Sequence, residues 1–395
     1  MHTCSRTTSS TSYKRKGTPR LVASLLHKDF PSQFHTPDPK SLVSLVIGKF
    51  VVPVSYSTAY RGKQLAVSDI RGSPEESFKI VYSYLYMLEK VNHGTKTSVV
   101  LDEGKRFKYL FVALGASIEG FQVMRKVIVV DATFLKTVYD GVLIFASAQD
   151  PNHHHYPIAF AVADGEKEDT WMWFFKTLKT IIPDSPELVF ISDRNASLIK
   201  AVGGVYPSSH HGHCIDHLSQ NVMTKVTFVN KDDAAAKFRQ IAQIYTITEF
   251  EKQYEDFRMR FPKAATYLDT TCEVEKWARC YFPGLKYNIQ TSNVVESMNS
   301  VFKQARKFAL LPMIDTIVAK FAEWFNNHRK ESVGGSNAQK LVPFVENVLH
   351  DRCEIASKLT VIELNSFQLE YSVIGPDGKT YVVDLRNKSC ICPLF

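Results

Sequence analysis

The sequence predicts a mixed α/β protein: a sheet of short buried strands, with helices before and after it. Three observations carry that reading. Between Thr97 and Asp164, five apolar runs of strand length follow one another, each ended by turn residues. On both sides, apolar residues recur at helical spacing. The run KVIVVDATFLK, Lys126 to Lys136, holds four consecutive β-branched residues, Val127 to Val130, as a strand buried on both faces does.

Residues 1–56 form the first region. Met1 to Arg20 is Ser/Thr-rich, carries Arg6, Lys14, Arg15, Lys16 and Arg20 and has no acid, so it is expected to be a disordered basic tail. KRKGTPR also fits a weak nuclear address, and the composition fits a transit peptide. Within Leu21 to Pro53, LVSLVIGKFVVPV fits a strand or a short helix. Residues 57–95 read as a helical pair. The second helix has Ser73 as N-cap, Pro74 in the first turn, and Glu75 and Glu76 near its positive end. Its apolar face is Phe78, Val81, Leu85 and Leu88, and Gly94 ends it.

The core occupies 96–213. TSVVLDE, FKYLFVALGASIEGF, KVIVVDATFLK, VLIFASAQD and HHYPIAFAVAD read as strands, several joined by hairpins. Glu168 to Ile182 is an amphipathic helix opened by acids and stopped at Pro183, with Trp171 and Trp173 expected in the core. ELVFISD is a buried strand with Asp193 just past it, and NASLIKAVGGVYP is a short helix broken at Gly203-Gly204. Residues 214–290 keep helical spacing to about Tyr281 with no strand signal. Residues 291–352 hold helices over Thr291 to Phe308, where Val294, Met298 and Val301 face inward, and over Pro312 to Lys330. In 353–395, Leu359 to Leu385 alternates about a turn at 375 to 378, as a terminal hairpin does.

Composition sets bounds. The chain has 395 residues, 45% hydrophobic and 22% charged, which suits two to three domains with a large core. A net charge of +8 suits an anionic partner. No apolar run approaches the roughly 18 residues of a membrane span, so no membrane partner is expected and the chain reads as soluble. Seven irregularly spaced cysteines and no secretory h-region point to a reducing compartment, the cytosol or nucleus.

Three acids stand where a metal site wants them. Asp131 ends the strand VIVV, Asp193 follows the strand LVFIS, and Glu296 lies on the helix TSNVVESMNSVF, where Ser292 or Asn293 can cap. Mg²⁺ and Mn²⁺ take hard oxygen ligands, and two such ions can serve phosphoryl transfer. Rigid strand ends and a packed helix fix that geometry better than loops. A strand-end Asp also fits simple capping of the next turn. With the acids so placed, three antiparallel strands followed by a parallel pair with crossover helices is the order of a ribonuclease-H-like mixed sheet.

His210, His211, His213, Cys214 and His217 crowd into eight residues. Cys214 and His217 are spaced to share one ion, with Zn²⁺ the candidate; the same residues fit a polar, partly buried helix start. His153 to His155 reads as a solvated loop. Basic and aromatic groups gather around Glu296: Trp277, Arg279, Lys286, Lys303, Arg306, Lys307, Arg329 and Lys330. A solvated helix face explains such a run, as does phosphate contact, for which Arg279, Lys303, Arg306 and Lys307 are the candidates.

FKYLFVALGASIEGF, VIVVDATFLK, YPIAFAVAD, TWMWFFKTLK, FISDRNASLIKAV, HGHCIDHL and KWARCYFPGLKYNIQTSNVVESMNS together resemble the transposase domain of Mutator-like elements, the MULE family of plants. The resemblance runs in order over roughly Tyr60 to Arg352. It implies a ribonuclease-H-like DDE core with an all-helical insertion and flanking helices. It also implies a triad of Asp131, Asp193 and Glu296 holding Mg²⁺ or Mn²⁺. The implied reaction is cleavage of double-stranded DNA at transposon terminal repeats and strand transfer, in the nucleus, with a homo-oligomer among the expected partners. The family commonly adds a SWIM-type zinc finger, Cys-x-Cys then Cys-x-His; Cys390 and Cys392 match its first pair, and the second pair is not in the sequence. The alternative is a domesticated or truncated derivative acting as a non-catalytic DNA-binding regulator, as far-red-impaired-type transcription factors do.

Overall fold

The computed structural model describes residues 17–30, 37–71, 74–137, 140–227, 230–333, 341–375, 377–387 and 389–390. Most of the basic tail, the Gly72-Ser73 boundary and Cys392 lie outside them. The chain divides into two compact units, one of residues 1–84 and 307–318, the other of 85–306 and 319–395.

In the first unit, α1 (Pro19–Asp29) and α2 (Pro39–Phe50) precede α3 (Tyr56–Arg71) and the start of α4 (Pro74–Val91). Each of the first two opens with a cap followed by proline at its first position. Thr18 Oγ1 accepts from Leu21 N at 3.2 Å, and Asp38 Oδ1 accepts from Lys40 N at 2.9 Å. LVSLVIGKF is therefore helical, with Leu42 and Val46 packed against Val22, Leu26 and Ala59.

The second unit is built on a seven-stranded sheet of order β1-β2-β5-β4-β3-β6-β7. Its elements are β1 (Lys96–Leu101), β2 (Phe107–Ala113), α5 (Gly115–Phe121), β3 (Val127–Phe134), β4 (Val142–Gln149), β5 (His155–Ala163), α6 (Glu168–Lys179), β6 (Val189–Ser192), α7 (Ala196–Val205) and β7 (His210–His213). β1 to β5 pair antiparallel; β3, β6 and β7 are parallel, joined by α6 and α7 as crossovers.

Two elements differ from the sequence expectation. FKYLFVALGASIEGF is a strand followed by α5, because Gly115 turns the chain: its N–H donates to Thr95 Oγ1 at 3.0 Å, and a Cβ there would lie 1.9 Å from the His93 carbonyl oxygen. HHGH is a fourth-residue-length strand, β7, whose polar residues carry no apolar signal.

Period-two alternation divides the sheet's side chains between two cores. Ile128, Val130 and Ile144 pack on Trp171, Phe174, Phe175 and Leu178 of α6 and on Leu198 and Val202 of α7. Trp171 is fully buried and Trp173 stacks on Tyr109 at 4.7 Å, as the sequence led us to expect. On the other face Phe145 meets Phe302 at 5.3 Å and Phe321 at 6.4 Å. Phe302 follows α13 (Asn293–Val301), and Phe321 lies on α14 (Leu310–Val333). Val294 and Met298 of α13 are buried, but Val301 is exposed.

A helical block follows β7: α8 (Ile215–Met223), α9 (Lys231–Ala242), α10 (Ile247–Arg260), α11 (Pro262–Thr271) and α12 (Val274–Trp277). Its core holds Leu218, Phe238, Phe257, Leu268 and Trp277. After α15 (Pro343–Ala356), the expected hairpin is a four-stranded antiparallel sheet of β8 (Thr360–Asn365), β9 (Glu370–Ile374), β10 (Thr380–Asp384) and β11 (Ser389–Cys390). No helix among the described residues is long and apolar enough to cross a membrane.

Phe175 touches Trp171, Phe190 and Tyr206, so Phe175→Ala leaves a void in the α6 core. Urea unfolding is expected to show a loss of about 3–5 kcal/mol, whereas the exposed Val123→Ala is expected to change stability by less than about 0.5 kcal/mol.

Candidate active site

β-sheet register assembles the first part of the site. Val129 of β3 pairs with Ile191 of β6, so two residues further along Asp131 stands beside Asp193. Ser192 pairs with His213 of β7, and Cys214 N donates to Ser192 O at 2.7 Å. Asp193 and Cys214 thus follow the last residues of β6 and β7, while Asp131 does not end its strand as expected: it is fifth of the eight residues of β3, just past the last pair with β6, because β4 carries the pairing on to Phe134. The carboxyl ends of parallel strands are where open α/β sheets place their ligand crevices.

α13 closes the site from the Phe145 side of the sheet. Asn299 Nδ2 donates to Asp131 Oδ2 at 3.0 Å, which ties the helix to β3. Glu296 lies one turn earlier. Ser292, at the start of α13, does not bond its own helix backbone as a cap would; its Oγ donates to Glu296 Oε1 at 2.6 Å. Its N–H donates to Cys214 Sγ at 3.2 Å, and its Oγ lies 3.3 Å from His217 Nδ1. His217 Nε2 is 3.7 Å from Glu296 Oε1. Cys214, His217 and Glu296 each offer a ligand atom within 4.8 Å of the others. The Cys-x-x-His pair and the helix glutamate therefore belong to one cluster.

Further residues support the strand ends. Asp193 Oδ1 accepts from Asn195 N at 3.1 Å, while the Asn195 side chain caps α7 and donates to Glu166 Oε2 at 3.0 Å. Arg194 reaches the helical block, donating to Tyr267 Oη at 2.5 Å and Thr271 O at 2.8 Å.

The electrostatics follow from crowding acids at a buried edge. Burial pushes the Asp131 carboxyl up to about 7; Asp193 and Glu296 push the same way, and His217 opposes them. Burial and Asp193 also raise Glu166. His217 is raised to about 9, first by its hydrogen bond with Cys214 and then by the charges of Cys214, Glu296 and Asp131. Burial works against ionisation of the Cys214 thiol, but its bonds to His217 and Ser292 outweigh this and lower it. Cys214 and His217 form a hydrogen-bonded pair beside the acids, each favouring the charged form of the other.

The donor chemistry fits a divalent cation. Carboxylate oxygens on Asp131, Asp193 and Glu296 are the donor type that Mg²⁺ and Mn²⁺ take, and a cation there would relieve the burial and the neighbouring charges that raise Asp131. Cys214 and His217 add a softer sulfur and nitrogen pair on the Glu296 side.

The other sequence candidates fall elsewhere. Trp277 is buried in the helical block, packed on Phe238 at 5.2 Å, and Lys286 is buried with its Nζ 3.8 Å over Phe282; burial, and then the charge of Arg279, push it down to about 7. Both are interior groups. Arg279 donates to Asn288 Oδ1 at 2.5 Å and lies 3.8 Å over Tyr245. Arg306 donates to Thr133 Oγ1 and to Phe134 O, holding the end of β3. Lys303 is exposed and Lys307 half-buried in a 3-10 turn, Ala305–Lys307. His211 and His213 are buried and held neutral, down to about 3 and about 4, chiefly by burial. Cys390 lies on β11, and Cys392 is outside the described residues. Sequence reading missed Asn299 and Glu166 and saw Ser292 only as a cap; a polar residue one turn from an invoked acid was the available signal.

Because the folded Asp131 holds its proton to about 7 and an unfolded Asp only to about 3.9, the metal-free fold loses stability as pH rises between those values. Asp131→Asn is expected to raise metal-free stability at pH 8 by about 1–2 kcal/mol and to flatten the pH dependence. Urea unfolding in chelator at pH 4 to 8 measures it; a variant destabilised at pH 8 contradicts the stated electrostatics.

Comparison with known proteins finds one family model and two relatives that match parts of the chain. Residues 127–221 match the MULE transposase domain. That stretch includes Asp131, Asp193, Cys214 and His217 and ends before Glu296. The chain is 24% identical over 306 residues to Protein FAR1-RELATED SEQUENCE 5 of Arabidopsis thaliana, covering 74% of the chain and 35% of that protein. It is 23% identical over 185 residues to the transposase for insertion sequence element IS1201 of Lactobacillus helveticus, covering 45% of the chain and 50% of that protein. The chain thus spans a third to a half of the length of these relatives. Over residues 127–221, the chain is similar to the MULE transposase domain.

Proposed function

We propose that this chain is a Mutator-like transposase core of the ribonuclease-H-like, DDE type, which cleaves DNA strands with divalent metal and joins them to target DNA. The observation that carries the reading is the register of β3 and β6, which sets Asp131 beside Asp193 where β6 ends, with α13, the helix of Glu296, tied to Asp131 through Asn299. Asp131, Asp193 and Glu296 would hold Mg²⁺ or Mn²⁺, which supplies Lewis acidity and a lowered water or hydroxyl pKa for phosphoryl transfer.

The remaining roles fall to the chain's own groups. Asn299 fixes the Asp131 carboxylate and Ser292 fixes that of Glu296, so both keep one orientation. The His217 imidazolium, beside Glu296, offsets negative charge and can stand against a phosphate oxygen. Lys303, exposed on the turn after α13, is the candidate for contact with the DNA backbone. Terminal-repeat DNA as substrate and the nucleus as the place of action belong to the same proposal.

A second reading has its own support. The longer of the two alignments is to FAR1-RELATED SEQUENCE 5, not to the insertion-sequence transposase. On that reading the chain is a derivative that binds DNA without cutting it.

Incubation of the purified chain with supercoiled plasmid and a labelled terminal-repeat duplex in Mn²⁺ separates the two. Catalysis predicts nicking that falls by at least about 10³-fold in Asp193→Asn, since the lost electrostatic stabilisation is several kcal/mol. DNA binding that is equal in both proteins, with no nicking in either, favours the second reading and rejects the first.

A further inference from the structure

The turn between β4 and β5 carries a second cluster, at the end of the sheet opposite the acids. Asp131 pairs with Phe145, and the turn begins past Gln149, four residues or about 13 Å further along. The sequence suggested a solvated loop for His153 to His155. Instead, Asp150 Oδ1 accepts from His154 N at 2.8 Å and Oδ2 contacts His154 Nδ1 at 2.9 Å. Arg125 Nη2 donates to the Asp150 carbonyl at 2.6 Å, and the His153 ring lies 4.1 Å from that of Phe344. The His154 ring faces His328 of α14 at 4.5 Å, and His154 Nε2 is 3.6 Å from Glu331 Oε2. One ligand atom each from Asp150, His154 and His328 lies within 4.8 Å of the other two.

We propose that this cluster is a transition-metal site of the Zn²⁺ class, which fastens the β4–β5 turn to α14. The ligands are His154 through Nε2, the His328 ring and the Glu331 carboxylate, which stands outside the gathered trio and meets it through His154, with water as the fourth ligand. Asp150 is the positioning residue. By accepting from Nδ1 it fixes the tautomer that leaves Nε2 bare and aimed at the metal, the arrangement found behind most metal-binding imidazoles.

One spacing already suits this. A tetrahedral ion with bonds of about 2.0–2.1 Å separates its ligands by about 3.3 Å. The His154–Glu331 spacing of 3.6 Å is close to that. The two rings are near-parallel, 17° apart, so His328 must turn about its side-chain bonds to bring a nitrogen into place beside Glu331. It is half-buried on a helix surface. Two imidazoles and one carboxylate favour Zn²⁺, Cu²⁺ or Ni²⁺ over Mg²⁺, unlike the oxygen set at Asp131. i and i+3 placement of His328 and Glu331 puts both on one face of α14. The spread of the four residues over the turn and a helix some 170 positions later hides the site from any spacing motif.

Zn²⁺ titration of the full-length chain by calorimetry tests this, with Mg²⁺ in excess and in a Cys214→Ser background that removes the other sulfur-containing cluster. One Zn²⁺ per chain is expected. His328→Ala should lower the affinity by more than about 100-fold, and Asp150→Asn by about 10–100-fold, the usual effect of losing an orienting partner. No Zn²⁺ uptake in the Cys214→Ser chain, or unchanged affinity in His328→Ala, overturns the proposal. Co²⁺ spectra of the unsubstituted chain guard against a poorly folded variant. Tetrahedral Co²⁺ bands beyond those of any thiolate complex at Cys214 are expected; bands from a thiolate complex alone contradict the site. Neither readout depends on DNA cleavage.

Discussion

The parallel pairing of β3 with β6 is the constraint on which the rest depends. A one-residue slip would turn the Asp131 carboxyl to the other face of the sheet and away from Asp193. Register is held by burial on both faces. Ile128 and Val130 point into the α6–α7 core, and Val127 and Val129 point into the other, so either slip would expose nothing but would mismatch both cores at once. The crossover helices that make the pair parallel are thus also what aligns the two acids.

Around that pair the structure holds costly polar groups in place. Three acids and a cysteine lie at one partly buried edge, and burial disfavours ionisation of Asp131 and Cys214. The hydrogen-bonded pair of Cys214 and His217 offsets part of that cost, and Ser292 links it to Glu296 by two hydrogen bonds. Cys-x-x-His is therefore continuous with the carboxylate site. This is a different organisation from a self-contained zinc site, which would need four ligands of its own.

Much of the fold was legible because it rests on long apolar runs. VLIFASAQ and HYPIAFAVA are buried nearly throughout, and VIVVDATF over its first half, as their apolar runs indicated. β7 was not legible, because HHGH earns its place by pairing with β6 rather than by apolar content. α1 and α2 were marked by Thr18-Pro19 and Asp38-Pro39, local signals outweighed in the reading by mixed composition. Asp131, Asp193 and Glu296 could be picked out by position in elements. Their cluster with Cys214 could not, since it depends on the side chain of Ser292 turning from its own helix end to Glu296. Basic residues misled most: Lys286 and Trp277 read as surface groups, but the helical block buries both.

The central claim is that Asp131, Asp193 and Glu296 form one metal-binding site. Mn²⁺ binding followed by electron paramagnetic resonance on the purified chain at pH 8, without DNA, tests it most directly. Tight Mn²⁺ binding that weakens at least about tenfold in Asp131→Asn and again in Glu296→Gln is predicted, each carboxylate being a direct ligand. Mn²⁺ binding left unchanged by both substitutions would contradict it.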